Sequence, residues 1–199
     1  MSRPLVPGLV AEGETDEHFL GAVISRQLRA LTDLSPRPVD VQSVQYAACR
    51  MTKDDSRIGQ AVEELADDCH LIFLHSDHRE RGKADRLTTY LAGKGVTRPL
   101  IPLVPVKETE SWLLADAAVW DRVPGADTSL APRKPKDAEK VADPKAVLKA
   151  MLTGIAYREV NEYLAFAGDQ VDLAVLARLP AYREWVDATT EALGSRGFL

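Results

Sequence analysis

Apolar positions in the first half of the chain form short runs that alternate with stretches of helical spacing. Four apolar runs have the length and composition of β-strands: residues 5–10, 39–44, 70–74 and 100–106. Between them, apolar residues recur at intervals of three and four over residues 16–31, 58–65 and 84–91, which is typical of one face of an α-helix. The alternation predicts a parallel sheet of about four strands, in the order of these runs, with helices on both faces.

The pattern changes after residue 107. Residues 108–120 have helical spacing, and residues 123–143 are rich in Pro, Lys and Asp with little periodicity. A stretch of that length and composition indicates a long surface loop, a feature that often carries function. Only helical patterns follow. The sequence therefore predicts an α/β domain over residues 1–122, a surface loop over 123–143, and a helical C-terminal extension over 144–199 that packs on the same core.

Composition narrows the class of protein. The chain has 199 residues, 45% of them apolar, which suffices for a substantial core. Its formal net charge of −5 argues against a broadly basic protein that coats nucleic acid, although a local basic groove remains compatible with it. The sequence shows neither an apolar run long enough to span a membrane nor a signal-peptide pattern, so we expect a cytoplasmic protein with free thiols at Cys49 and Cys69.

Acidic residues follow three of the four predicted strands. Glu12 follows the first strand, Asp77 the third, and Glu108 and Glu110 the fourth. Because ligands bind at the carboxyl ends of the strands in an open parallel sheet, we expect these side chains to converge there. Carboxylates are the ligands that Mg²⁺ and Mn²⁺ prefer, so the sequence predicts a divalent-metal site.

Each acidic residue also has an ordinary structural explanation. Carboxylates in the first turn of a helix are stabilised by the helix dipole, and this explanation is favoured for Asp16 and Glu17. It is weaker for Glu12, which lies closest to the strand end. Asp77 is equally compatible with a turn residue and with a metal ligand.

Histidine and tryptophan residues have plain interpretations. His75 and His78 lack partners at zinc-site spacing, so surface roles or roles supporting a metal ligand are favoured. The three tryptophans, Trp112, Trp120 and Trp185, are expected in the core rather than as platforms for base stacking.

Basic residues lie beside the predicted site. Arg79, Arg81 and Lys83 follow the third strand, and Lys107 follows the fourth. Such residues are commonly solvated surface, but at this edge of the sheet they are candidates for contacts with phosphate or nucleic acid. A second basic group lies in and after the surface loop: Arg133, Lys134, Lys136, Lys140 and Lys145. We expect the loop to be mobile or ordered by contacts, with its lysines on the side of the site.

Longer motifs carry a resemblance to a known family. "VAEGETDEHFL" resembles the opening motif of Toprim-like domains, and "LIFLHSDHRERG" resembles their second motif, a buried strand that ends in an Asp-x-Asp turn. "PVKETESWLLAD", "EKVADPKAVLKAML" and "VDLAVLARLPAYREWV" resemble a Toprim-like family of bacterial proteins, domain of unknown function 4276. The resemblance covers nearly the whole chain and implies a Toprim-like, or Rossmann-like, α/β fold.

The resemblance also implies roles for individual residues. Toprim domains occur in topoisomerases, primases, recombination proteins and nucleases linked to phage defence. Their motif glutamate acts as a general acid or base, which corresponds to Glu12, and their aspartates hold magnesium, which corresponds to Asp77. This chain departs from the motif, because either alignment of Asp-x-Asp leaves one aspartate. Metal binding would then depend on Glu108 or Glu110, or be weak or lost, and Arg79 would favour direct binding of phosphate.

Three functions are compatible with these features. The first is a Mg²⁺- or Mn²⁺-dependent enzyme that acts on phosphodiesters, a nuclease of a defence or DNA-repair system. The second is a non-catalytic partner module with a degenerate metal site that binds nucleic acid or an ATPase. The third is a nucleotide-binding regulator. The oligomeric state does not follow from the sequence.

Overall fold

A computed structural model describes residues 2–50, 54–77, 81–155 and 157–199. The strands are β1 (Arg3–Leu5), β2 (Pro7–Val10), β3 (Val39–Val41), β4 (Gln45–Tyr46), β5 (Leu71–His75) and β6 (Leu100–Leu103). The helices are α1 (Glu14–Thr32), α2 (Asp55–Asp68), α3 (Arg81–Gly93), α4 (Glu110–Leu113), α5 (Ala117–Trp120), α6 (Pro144–Met151), α7 (Tyr157–Gln170), α8 (Leu173–Leu176) and α9 (Pro180–Ser195).

The predicted α/β class with a parallel sheet is confirmed. Strands β4, β2, β5 and β6 form a four-stranded sheet in that order, and β1 and β3 form a separate parallel pair. The predicted strand at residues 5–10 is therefore divided between two sheets, and the one at 39–44 corresponds to β3, in the smaller sheet. The first divides at Val6, whose N–H bonds to the His70 side chain at 3.0 Å rather than to a strand.

The spatial order of the strands differs from their order along the chain. Strand β4, which lies just beyond the second predicted run, is on the opposite side of β2 from β5 and β6. The prediction that all four runs form one sheet was wrong at the second run, whose strand β3 pairs with β1 instead. The connection from β2 to β4 leads to one side of the sheet, and the connection from β4 to β5 leads back to the other. The carboxyl ends of β2 and β5 flank this switch point, where open α/β sheets bind their ligands.

Alternate residues of the central strands face two different cores. Leu9 and Phe73 belong to the larger cluster of buried residues, whereas Val10 and Ile72 belong to a smaller one beneath α2 and α3. The period of two along each strand explains the division. "HLIFL" was predicted as a buried strand, and β5 is buried at all of its positions in the centre of the sheet.

The C-terminal helices pack on the larger core. That cluster includes residues from Leu5 to Phe198, and α7 packs closely along α1. The approach is close at Gly168, where a Cβ atom would lie 2.6 Å from the Phe19 carbonyl oxygen. The three tryptophans are buried, as predicted, and the Trp185 ring contacts that of Phe73 at 5.6 Å between centroids.

One prediction for the middle of the chain needs correction. The helix expected over residues 108–120 is two short helices, α4 and α5. The stretch 123–143, predicted as a surface loop, contains two short 3₁₀ helices, Thr128–Leu130 and Pro135–Lys140, and buries Ala138 completely. Within the described residues, no helix is long and apolar enough to cross a membrane.

Candidate functional site

Acidic side chains meet at the carboxyl ends of the central strands. Glu12 lies two residues beyond β2, Asp77 lies two residues beyond β5, and Glu110 is the first residue of α4. A cavity of about 220 Å³ at this edge is lined by the four predicted carboxylates, Glu12, Asp77, Glu108 and Glu110, together with Gly13, Thr15, Asp16 and Lys145. The structure thus brings together the residues that the sequence nominated as metal ligands, while their function stays a prediction.

Glu12 and Asp77 are linked directly. The backbone N–H of Asp77 donates a hydrogen bond to Glu12 Oε1 at 3.3 Å. Burial, together with the charges of Glu12 and the other carboxylates around the cavity, raises the pKa of Asp77 to about 7. Near neutral pH this carboxyl group therefore exchanges a proton readily, and a bound cation would favour its ionised form.

His75 is a buried support for the same cavity. Its Nδ1 accepts a hydrogen bond from the backbone N–H of Glu12 at 3.4 Å, and its Nε2 lies 2.9 Å from the Thr109 hydroxyl. Burial lowers the pKa of His75 despite the opposing effects of Asp16 and Glu12, so the ring is neutral. Because Nδ1 accepts, we assign the ring hydrogen to Nε2, which donates to Thr109. The histidine therefore joins the ends of β2 and β5 to the segment before α4.

Two further glutamates and a lysine also line the cavity. Lys145 Nζ lies 3.7 Å from Glu110 Oε1, and Glu110 is the main cause of the raised pKa of Lys145. Burial raises the pKa of Glu110. The Oε2 atom of Glu108 is buried and has no hydrogen-bond partner among the described residues. Among the described side chains that line the cavity, acidic groups therefore outnumber basic ones.

The chemistry of the cavity fits a hard divalent cation. Mg²⁺ is commonly held by one or two carboxylates and several waters. The buried oxygen of Glu108, which has no hydrogen-bond partner among the described residues, is a candidate ligand for such an ion. Within residues 2–50, 54–77, 81–155 and 157–199, however, no three histidine, cysteine or acidic side chains are positioned to hold one ion together. Direct coordination by three carboxylates would require their side chains to move, whereas coordination through water would not.

The structure describes only some of the residues predicted to bind phosphate. Arg79 lies outside the described residues. Arg81 and Lys83 lie in the first turn of α3, and their side chains are outside the described part. Lys107 does not line the cavity; its ammonium group donates to the Val141 carbonyl, and its φ of 69° turns the chain between β6 and α4. A phosphate-binding function for these residues stays a prediction.

The second basic group, in and after residues 123–143, lies mostly away from the cavity. Lys134, Lys136 and Lys140 do not line the cavity, and Lys140 pairs with Asp137 at 2.9 Å. Within the described part of the chain, the basic residue that lines the cavity is Lys145, in the first turn of α6. Asp143 caps this helix by accepting from the Ala146 N–H at 2.8 Å, which fixes the position of Lys145 on the helix.

Sequence reasoning gave too little weight to two charged residues of the cavity. Asp16 was interpreted as a helix-dipole residue, which its place in the first turn of α1 supports, yet it also lines the cavity. The feature of the sequence that could have indicated this role is the short spacing of four residues between Glu12 and Asp16. Lys145 was grouped with the loop lysines, and the sequence gives no indication that α6 returns to the strand ends.

Comparison with known proteins gives one match. Residues 11–186 match the model of a family described as a domain of unknown function, DUF4276. The matched segment includes every residue of the acidic cavity. No curated protein and no solved structure shows a significant match to the chain. Since the match extends over most of the sequence, the chain belongs to the DUF4276 family.

Proposed function

We propose that the protein is a divalent-metal-dependent enzyme that cleaves phosphodiesters, and specifically a nuclease with a Toprim-like fold that acts in defence or DNA repair. The observation that carries the proposal is the convergence of Glu12, Asp77, Glu108 and Glu110 on one cavity at the switch point of the sheet. The Toprim assignment and the biological setting depend on the sequence resemblance.

The ion would supply charge stabilisation for the phosphoryl oxygens and would lower the pKa of a bound water. Glu108 and Asp77 would hold it, since Glu108 has a buried oxygen without a partner among the described residues and Asp77 lies among other carboxylates. Lys145, which lines the same cavity, would bind a phosphate oxygen.

Glu12 is our candidate for proton transfer. In hydrolysis, the oxygen of water forms a bond to phosphorus, the bond from phosphorus to the leaving oxygen breaks, and the water proton passes to a base. Glu12 can accept that proton, because its position is fixed by the bond from the Asp77 N–H and by the bond from its own N–H to His75. The leaving oxygen takes up a proton from solvent.

A second candidate function is a non-catalytic module that binds nucleic acid or an ATPase. It is favoured by the single aspartate in the Asp-x-Asp position and by the lack, in the described part of the chain, of three ligands arranged around one point. This candidate keeps the basic residues for phosphate contacts and needs no bound metal.

Cleavage assays separate the two candidates. The intact chain would be incubated with single- and double-stranded DNA and RNA in Mg²⁺, in Mn²⁺ and in a chelator. The proposed enzyme cleaves at least one substrate in a metal-dependent manner, and Glu12→Gln and Asp77→Asn each remove that cleavage, with general acid–base catalysis alone worth about 10²–10⁴-fold. Binding without cleavage under every condition would favour the partner module.

A further inference from the structure

A larger, apolar cavity adjoins the acidic one. It has a volume of about 510 Å³ and shares Thr15, Asp16, Glu110 and Lys145 with the acidic cavity. Six aliphatic side chains form most of its walls: Leu113, Leu148, Leu152, Ile155, Val160 and Leu164. The acidic cavity and the apolar cavity are therefore neighbours that share four polar or charged residues.

The size and composition of this site restrict its ligand. Cavities of roughly 300–1,000 Å³ with apolar walls and a few polar groups are typical of sites for small organic molecules or single substrate units. Glu110 and Lys145 belong to both cavities, and Thr109, Lys149 and Thr153 are the further polar residues that line the apolar cavity. A matching ligand has a compact apolar body attached to a charged group. The hydroxyl of Thr15, on the shared wall, would also serve a body with polar atoms at its edge.

We propose that the apolar cavity holds the base of an unpaired nucleotide whose phosphate lies in the acidic cavity. The inference rests on the proposed function for the position of the phosphate, and it adds the substrate class. A nucleobase is flat and largely apolar on its faces, and enzymes that enclose a base hold it between apolar or aromatic side chains. A base inside a duplex cannot enter an enclosed cavity without leaving the stack, so the substrate is a single strand, a strand end or a flipped nucleotide.

Two matched substitutions test the cavity. Val160→Phe would place an aromatic ring in it from α7. Val175→Phe makes the same change on α8, at a valine that is likewise partly buried against the larger core but does not line the cavity. Ile155→Phe is a second cavity-filling variant, to be used if Val160→Phe does not fold as judged by circular dichroism.

The probes are thymidine 5′-monophosphate and 2-deoxyribose 5-phosphate, which differ by the base. Binding to the full chain would be measured by calorimetry with Mn²⁺ and again with a chelator. Wild-type protein and Val175→Phe should bind the nucleotide on the order of tenfold or more tightly than the sugar phosphate, because the base buries apolar surface. Val160→Phe should bind the two probes equally.

The outcomes distinguish this inference from the proposed catalysis. A preference for the nucleotide that Val160→Phe removes supports the inference, even if Mn²⁺ has no effect and no substrate is cleaved; in that case the proposed catalysis fails. Equal affinities of the two probes for wild-type protein, or no binding of either, would overturn the inference, whether or not cleavage occurs. Tighter binding of phenylphosphonate than of the nucleotide would also overturn it, because the cavity would then select a plain apolar ring over a base.

Discussion

The backbone N–H of Asp77 donates a hydrogen bond to Glu12 Oε1 at 3.3 Å, which joins the segments that follow the two central strands. The contact places two carboxyl groups of like charge beside each other in a partly buried cavity. Such an arrangement is destabilising unless a proton or a cation neutralises part of the charge. This consequence can be measured in the protein without any knowledge of its substrate.

Asp77 should make the metal-free protein less stable as the pH rises. Its pKa is about 7 in the folded protein and near 3.8 as the ordinary value, so its protonated form favours folding. Stability from this group is fully present below about pH 4 and is lost as the pH rises through 7. We expect Asp77→Asn to stabilise the protein at pH 8 by roughly 1–2 kcal/mol, allowing for solvent screening, and to have little effect at pH 4.

Urea denaturation in a chelator would measure this difference. Wild-type protein must be compared with the variant at each pH, because the lowered pKa of His75 gives an opposite slope, with stability lost as the pH falls below 6.5. Asp85→Asn, at an exposed position of α3, serves as the control. Equal stability of wild type and Asp77→Asn at pH 8 would show that the carboxyl groups do not repel one another as described.

His75 and Thr109 should act as one unit. His75→Ala would leave the Glu12 N–H and the Thr109 hydroxyl without their partner in a buried place, at a cost of about 1–3 kcal/mol for each group. Thr109→Val should cost less, and the double variant should be less destabilised than the sum of the two. Denaturation of the four proteins in a double-mutant cycle measures the coupling. Strict additivity would mean that the two side chains do not interact.

The close packing of α7 on α1 has its own test. Gly168→Ala places a Cβ atom 2.6 Å from the Phe19 carbonyl oxygen and 2.8 Å from the Ala22 Cβ, so it should destabilise the protein by about 1–3 kcal/mol. Gly194→Ala, in α9, meets no atom within 4 Å and should be neutral or stabilising by about 0.5–1 kcal/mol. Thermal unfolding of both variants decides the matter, and a stabilising Gly168→Ala would contradict the described helix contact.

Sequence and structure agree where local patterns determine the outcome. The continuous apolar run predicts the buried strand β5 and the helical spacing predicts α1, and the carboxyl-end rule placed Glu12 and Asp77 at one edge. Strand order and the position of Lys145 depend on how distant segments return to the sheet. Local sequence patterns do not predict such contacts between distant segments, so the position of α6 beside the strand ends could not be predicted. The 3₁₀ helices in the loop span three and six residues, which is too short for a periodic pattern to predict them.

Lys145 should matter for anionic ligands. If it binds a phosphate oxygen, Lys145→Met should weaken the binding of a single-stranded oligonucleotide and make the binding less dependent on salt, since one phosphate contact is lost. Lys136→Met is the control, because Lys136 is a loop lysine that does not line either cavity of the site. Fluorescence anisotropy at several salt concentrations provides the slopes. An unchanged slope for Lys145→Met would remove this residue from the proposed site.

Calorimetric titration of Mn²⁺ into the metal-free protein at pH 7.5 tests the central claim most directly. The claim is that the carboxylates around Glu12 and Asp77 form a divalent-metal site. It predicts a saturable binding event near one ion per chain that is lost or strongly weakened in Glu108→Gln and in Asp77→Asn and retained in Asp85→Asn. The absence of Mn²⁺ binding to wild-type protein, or binding that all three variants leave unchanged, would contradict the claim.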